Sequence, residues 1–142
     1  MAELGIEAAR VIVAQTLAHG AAAGMKPLSV IVLDAGGHVM AFERSDGASP
    51  GRFGIAQAKA HGAVMLGIGG RAQQARAETQ AYFMAAANGI YGGRLMPVAG
   101  GILVRGADGA VVGAVGVTGD SSDNDALAGE AGIRAAGFQP EA

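Results

Sequence analysis

The chain has 142 residues, a formal net charge of -2 and no cysteine, which fits a single domain (residues 1–142) and excludes disulfides, zinc ribbons and thiol catalysis. Lys+Arg 10 nearly balances Asp+Glu 12 without a basic cluster, so no nucleic-acid partner is expected. Glycine supplies 25 residues, well above the usual ~7%, and hydrophobic residues reach 51%, a composition that suits close backbone packing and further burial by homo-oligomerisation.

Residues 3–23 read as a helix that is apolar on more than one face, which predicts burial on both sides; Gly24 and Pro27 end it. The N-terminal stretch lacks a signal-type apolar core, and no apolar run is long enough to cross a bilayer. No membrane partner and a cytoplasmic location are expected. "LSVIVLD" (28–34) and "HVMAFER" (38–44) flank a Gly-Gly turn and predict a β-hairpin. Ser49 and Pro50 suit a helix start, with Ser49 as the cap, and a helix is expected over 51–66. "GIGGRA" (67–72) reads as a helix-helix connection before a further helix over 73–90. "YGGRLMPVAGG" is loop. "GILVRGADGAVVGAVGVTG" is a second hairpin turning at Asp108-Gly109, and the segment from "DSSDND" onward is a closing helix.

Helix, hairpin, two helices, hairpin, helix predicts an α+β fold. The two hairpins share one mainly antiparallel sheet with helices on its faces.

Several motifs resemble known chemistry and fail on context. "GIGGRA" satisfies G-x-G-x-x-A but follows a helical pattern, whereas a dinucleotide site needs a preceding strand. "GASPG" satisfies G-x-S-x-G, but the residue after the serine is Pro50, which has no N–H for an oxyanion hole. Neither Lys26 nor Lys59 is followed by Ser or Thr, so there is no phosphate loop. Asp120, Asp123 and Asp125 lack calcium-loop spacing and suit a helix N-terminus. His19, His38 and His61 show no shared metal spacing, although one histidine suffices as an axial ligand to haem or a corrinoid. Lys59 stands alone in an Ala/Gly-rich helix. It is either a solvated surface lysine or a cation directed into a small-walled pocket for a carboxylate or phosphate.

These residues together resemble the GlcG/HbpS-like family, the haem-degrading domain family related to the PduO C-terminal domain. Asp34, Gly37, Arg44, Asp46, Gly47 and Ala48 match its first hairpin and R-x-D-G-A motif. Lys59-Ala60 match its K-A pair, Gly100-Gly101 its later G-G turn, and "VVGAVGVTG" its V-G-x-x-G-V-S-G, with Thr118 for the usual serine. The resemblance implies a profilin-like sheet, a homo-oligomer that is often an octamer, and a small-molecule ligand, with haem or a related tetrapyrrole as the candidate. His19 is the candidate haem ligand.

Arg44 and Asp46 are expected to form an ion pair at the sheet edge, with the guanidinium aimed at a carboxylate ligand or a neighbouring subunit. The expected ligand-binding set is Arg44, Asp46, Gly47, Lys59, Gly100, Gly101, Thr118 and Asp125. The alternative function is a cofactor-independent isomerase, tautomerase or lyase acting on a small carboxylate metabolite. There Lys59, Asp46 and His61 would be catalytic, or an aspartate near 120–125 would carry the proton. A scaffold without a ligand is the third reading.

Overall fold

The branched run Ser29–Asp34 (β1) and the segment Val39–Arg44 (β2) form the first hairpin in the computed structural model, which describes residues 3–142. Asp34 closes its turn: Oδ1 accepts from the N–H groups of Gly36 and His38, both at 2.9 Å. Gly37 takes a φ of 85°, which glycine adopts without a Cβ clash. The second hairpin pairs Gly101–Arg105 (β3) with Val111–Thr118 (β4) and turns at Asp108-Gly109, as predicted. β1 also pairs with β4, so the hairpins share one antiparallel sheet. A strand absent from the sequence reading, Gln139–Glu141 (β5), adds to the β3 edge and gives the order β2-β1-β4-β3-β5.

Alternation along the strands builds two cores. On one face Val30, Val32, Ile102, Val104, Val115 and Val117 meet Ile6–Ala22 (α1) and Ser122–Ala135 (α5) through Ile12, Val13, Ala128 and Ile133. On the other, Ile31, Leu33, Leu103 and Ala114 meet Ala56, Ala60 and Ala63 of Arg52–Leu66 (α2). The α+β fold with helices on both faces is therefore observed. Glycines in the sheet bring α2 unusually near. A Cβ on Gly116 would overlap the Ala56 carbonyl, and one on Gly101 the Lys59 carbonyl. This close contact sets the height of Arg52 and Lys59 above the sheet.

Three expectations change. The helix predicted over 73–90 is two helices, Gly70–Thr79 (α3) and Ala81–Ile90 (α4), because Gln80 leaves helical backbone at φ -137°, ψ 61°. Arg76 spans the break, with its guanidinium 3.5 Å from the Phe83 ring centroid and Nε donating to Gln80 Oε1 at 3.2 Å. α1 buries only one face, through Ala9, Ile12, Val13, Thr16 and Gly20, and leaves Ile6 and Val11 45% and 40% exposed. Ser49 does not cap α2. Gly51 is the N-cap, and Ser49 contributes only its carbonyl, to the Arg52 N–H at 3.3 Å. The aspartates do stand at a helix N-terminus, Asp123 and Asp125 in the first turn of α5, which is capped by Ser121 Oγ accepting from the Asn124 N–H at 3.2 Å.

Candidate functional site

Register places a polar row across one end of the sheet. Arg44 on β2 pairs with Ser29 on β1, which pairs with Thr118 on β4, all on the face that carries α2. Between β2 and α2 the chain folds into a tight corner. The Ser45 N–H donates to the Leu28 carbonyl at 3.0 Å and the Ala48 N–H to the Ser45 carbonyl at 3.1 Å, while Gly47 takes a φ of 87°. The expected Arg44–Asp46 ion pair does not form. The Arg44 guanidinium instead donates to the Ala48 carbonyl at 2.6 Å, which ties the corner shut. Asp46 turns away, into a separate cleft of about 180 Å³ beside Leu17 and Gly20 of α1.

The corner encloses a cleft of about 230 Å³ lined by Lys26, Pro27, Gly47, Ala48, Ser49, Arg52 and Gly119. Arg52 is half-buried in the first turn of α2 and donates to Thr118 Oγ1 at 2.9 Å. No carboxylate pairs with Arg52, Arg44 or the Lys26 ammonium among the described residues. Behind them the Ser29 hydroxyl, fully buried, has no hydrogen-bond partner. The arrangement is cationic, pre-anchored and small, which suits a carboxylate.

Lys59 follows Arg52 by two helical turns on the same face of α2. It is not a surface lysine. At 3% exposure its Nζ donates to the Val117 carbonyl at 2.9 Å and to Asp125 Oδ2 at 3.1 Å. Gly100 and Gly101 wrap it; with φ 112°, a Cβ on Gly100 would sit 2.8 Å from Nζ. Burial pushes the Lys59 ammonium below its ordinary pKa, and Asp125 opposes that shift. Asp125 Oδ1 accepts from the Asp120 N–H at 2.9 Å, and Asp120 Oδ1 accepts from the Lys26 N–H at 2.9 Å. A chain of hydrogen bonds thus links the buried pair to the rim of the cleft.

Asp120 organises this loop. Hydrogen bonds from Asn124, Lys26 and Ser121 hold its carboxyl at about 2, below the ordinary 3.8. A depressed carboxyl stabilises the fold above its unfolded pKa, and that contribution is lost as pH falls through the folded value. Acid unfolding of the wild type is therefore expected to steepen as pH falls from 3.8 to about 2. Asp120→Asn is expected to flatten that limb in a denaturant series across pH, and an unchanged limb would contradict the assignment.

The remaining predicted residues lie elsewhere. His61 is 5% exposed and faces away from Lys59, with Nδ1 3.1 Å from the Arg94 carbonyl and its ring centroid 6.2 Å from that of Tyr91. Burial pushes its pKa down. No hydrogen bond or ion pair joins Asp46 or His61 to Lys59 among the described residues. His19 is half-buried in the last turn of α1, and His38 is exposed at the first hairpin turn. The described residues hold no group of three metal-ligating side chains. Four clefts of about 180, 260, 300 and 230 Å³ reach at most the lower end of ligand cavities, ~300–1,000 Å³. None of these four is lined by a histidine.

Sequence reasoning missed Arg52, Lys26 and Ser29. A signal for Arg52 was present: it opens the predicted helix directly after the corner, seven residues before Lys59. Ser29 carried none, because its place depends on register with Thr118.

Comparison with known proteins agrees with this architecture. A HbpS double mutant from Streptomyces reticuli is 27% identical over 94% of this chain and 87% of its own, with a TM-score of 0.78. A Klebsiella pneumoniae protein, ORFY, is 22% identical over 96% and 92%, with a TM-score of 0.82. PduOC, solved as a haem complex, is 18% identical over 99% and 100%, with a TM-score of 0.86. The likeness to these last two shows the fold. No curated protein gives a significant match. The sequence profile described as haem-degrading protein HbpS-like matches residues 4–134, and the chain belongs to that family.

Proposed function

We propose that the protein is a small-ligand-binding homo-oligomer, and that its ligand presents a carboxylate to Arg52 in the corner cleft. The observation that carries this reading is a half-buried guanidinium, fixed by Thr118 and without an acidic partner among the described residues. Haem or a related tetrapyrrole belongs to this ligand class through its propionates. Family membership and the haem complex of PduOC support that choice. The ring itself needs surface beyond the cleft of about 230 Å³, which an oligomer supplies. The octamer implied by the family resemblance is one such assembly.

The test is titration of wild type, Arg52→Ala and His19→Ala with haem, followed by absorbance, and with small di- and tricarboxylates, followed by calorimetry. Removing Arg52 is expected to weaken binding about 10–100-fold, the range for a hydrogen bond to a charged group. Stability is expected to change little. Saturable haem binding whose Soret band is lost in His19→Ala would identify the axial ligand. Equal affinity in wild type and Arg52→Ala would overturn the reading.

A second reading, a cofactor-independent isomerase, tautomerase or lyase on a small carboxylate, rests on Lys59. A buried lysine with a depressed pKa is suited to taking a proton from a carbon next to a carboxylate. Deuterium exchange into candidate acids, faster with wild type than with Arg52→Ala, would carry it. No exchange above the buffer rate would leave binding alone.

A further inference from the structure

The corner cleft holds more positive charge than one carboxylate answers. Arg52 and Lys26 both line it, and no acidic side chain does. The two cations reach it from different elements. Arg52 comes from the first turn of α2, half-buried, with its guanidinium fixed on Thr118 Oγ1 at 2.9 Å. Lys26 comes from the connection between α1 and β1 and is exposed. One charge therefore lies against the end of the sheet and the other at the rim.

Lys26 is anchored at its root and free at its tip. Its N–H donates to Asp120 Oδ1 at 2.9 Å, and Pro27 follows it, which restricts its backbone. Asp120 is the acid that feels the Lys26 charge. Its oxygens are already engaged, Oδ1 by the Lys26 N–H and Oδ2 by the Ser121 N–H at 2.9 Å and the Asn124 amide at 2.8 Å. No ion pair joins the Lys26 ammonium to Asp120 or to any other carboxylate among the described residues. Other donors at the cleft are also unengaged. Ser49 lines it but does not cap α2, and the N–H groups of Gly47 and Ser49 have no backbone acceptor among the described residues.

We propose that the ligand of this cleft carries two carboxylates a few bonds apart, the first on Arg52 and the second on Lys26. This rests on the carboxylate reading of Arg52 and adds a second subsite to it. A dianion cancels both charges, whereas a single carboxylate leaves one cation unpaired. The cations differ in depth and in the element that carries them, which favours two spaced groups over one compact dianion such as phosphate. The cleft of about 230 Å³ lies below the usual ~300–1,000 Å³ of ligand cavities, so both groups must sit on a short span. A short aliphatic diacid presents such a pair, and so do the two propionates at one edge of haem. Lys26 is then a specificity residue that selects diacid over monoacid.

The test uses wild type, Lys26→Met and Arg52→Ala at low and high salt. Succinate, glutarate, adipate, the monomethyl ester of each and inorganic phosphate are titrated by calorimetry. Haem and its monomethyl ester are titrated by absorbance. Wild type is expected to bind a diacid about 5-fold more tightly than its monoester at low salt, the scale of an exposed ion pair, with the gap closing at high salt. Lys26→Met is expected to remove that gap, with its circular dichroism unchanged because the side chain is exposed. Arg52→Ala is expected to weaken diacid and monoester alike. The same pattern with haem, and no binding of free diacids, would keep the two-carboxylate site and identify haem as its source. Weakened binding in Arg52→Ala with an unchanged gap in Lys26→Met would overturn this inference and leave the carboxylate reading standing. No loss in Arg52→Ala would overturn both, and phosphate binding as tightly as the best diacid would overturn the two-carboxylate ligand.

Discussion

Replacing Lys59 with methionine is expected to lower stability by about 3–5 kcal/mol, the usual consequence of leaving a buried charge without its partner. For a domain of this size that is a fall in Tm of about 10–15 °C. Asp125 is 1% exposed, and after the substitution its Oδ2 loses its cation while Oδ1 keeps only the Asp120 N–H. The Val117 carbonyl loses its bond to Nζ as well. The pair is a poor source of net stability, because two charges have left water to form it. The double variant Lys59→Met/Asp125→Leu should therefore recover most of the loss, as apolar replacements of buried pairs do. Urea denaturation measures both, with the m-value expected to stay constant. A loss below about 1 kcal/mol in Lys59→Met would mean that the ammonium is solvated and the site is not as described.

Gly116→Ala should be nearly as damaging, at about 3 kcal/mol, the upper range for overpacking. The added methyl would meet the Ala56 carbonyl, which is helix backbone and cannot rotate away, and it would also crowd the Ala60 Cβ at 3.1 Å. α2 must lift from the sheet. Arg52 and Lys59 ride on α2, so ligand affinity should fall together with stability. Gly54→Ala is the control. It lies on the same helix, with nothing within 4 Å of its Cβ position, and should raise stability by about 0.4–1 kcal/mol. Equal effects of the two substitutions, read from thermal denaturation, would show that α2 does not rest on the sheet through glycine.

Periodicity made the hairpins and most of the helices legible. The runs at 28–34 and 38–44 lie within a residue of β1 and β2, and Asp108-Gly109 turns the second hairpin. The break at Gln80 was not legible, because neither glycine nor proline marks it and Arg76 compensates through Phe83. β5 is only Gln139–Glu141, too short to show alternation. At the site, Lys59, Gly100, Gly101, Thr118 and Asp125 do converge, and all five belong to the ligand-binding set expected from the sequence. The Arg44–Asp46 pairing failed for a local reason. The corner needed a donor for the Ala48 carbonyl, and Arg44 supplies it. What pairs across strands, as Ser29 does with Thr118, depends on register between segments far apart in sequence.

The claim that matters most is that Arg52 takes a carboxylate. Its most direct test is to titrate wild type and Arg52→Ala with haem and with haem whose propionates are esterified. Tight, saturable binding of haem by wild type, weakened about 10–100-fold either by Arg52→Ala or by esterification, with no further loss when both changes are combined, is the predicted result. Haem and its ester binding equally to both proteins would contradict it, and would place any haem on an apolar surface away from the corner.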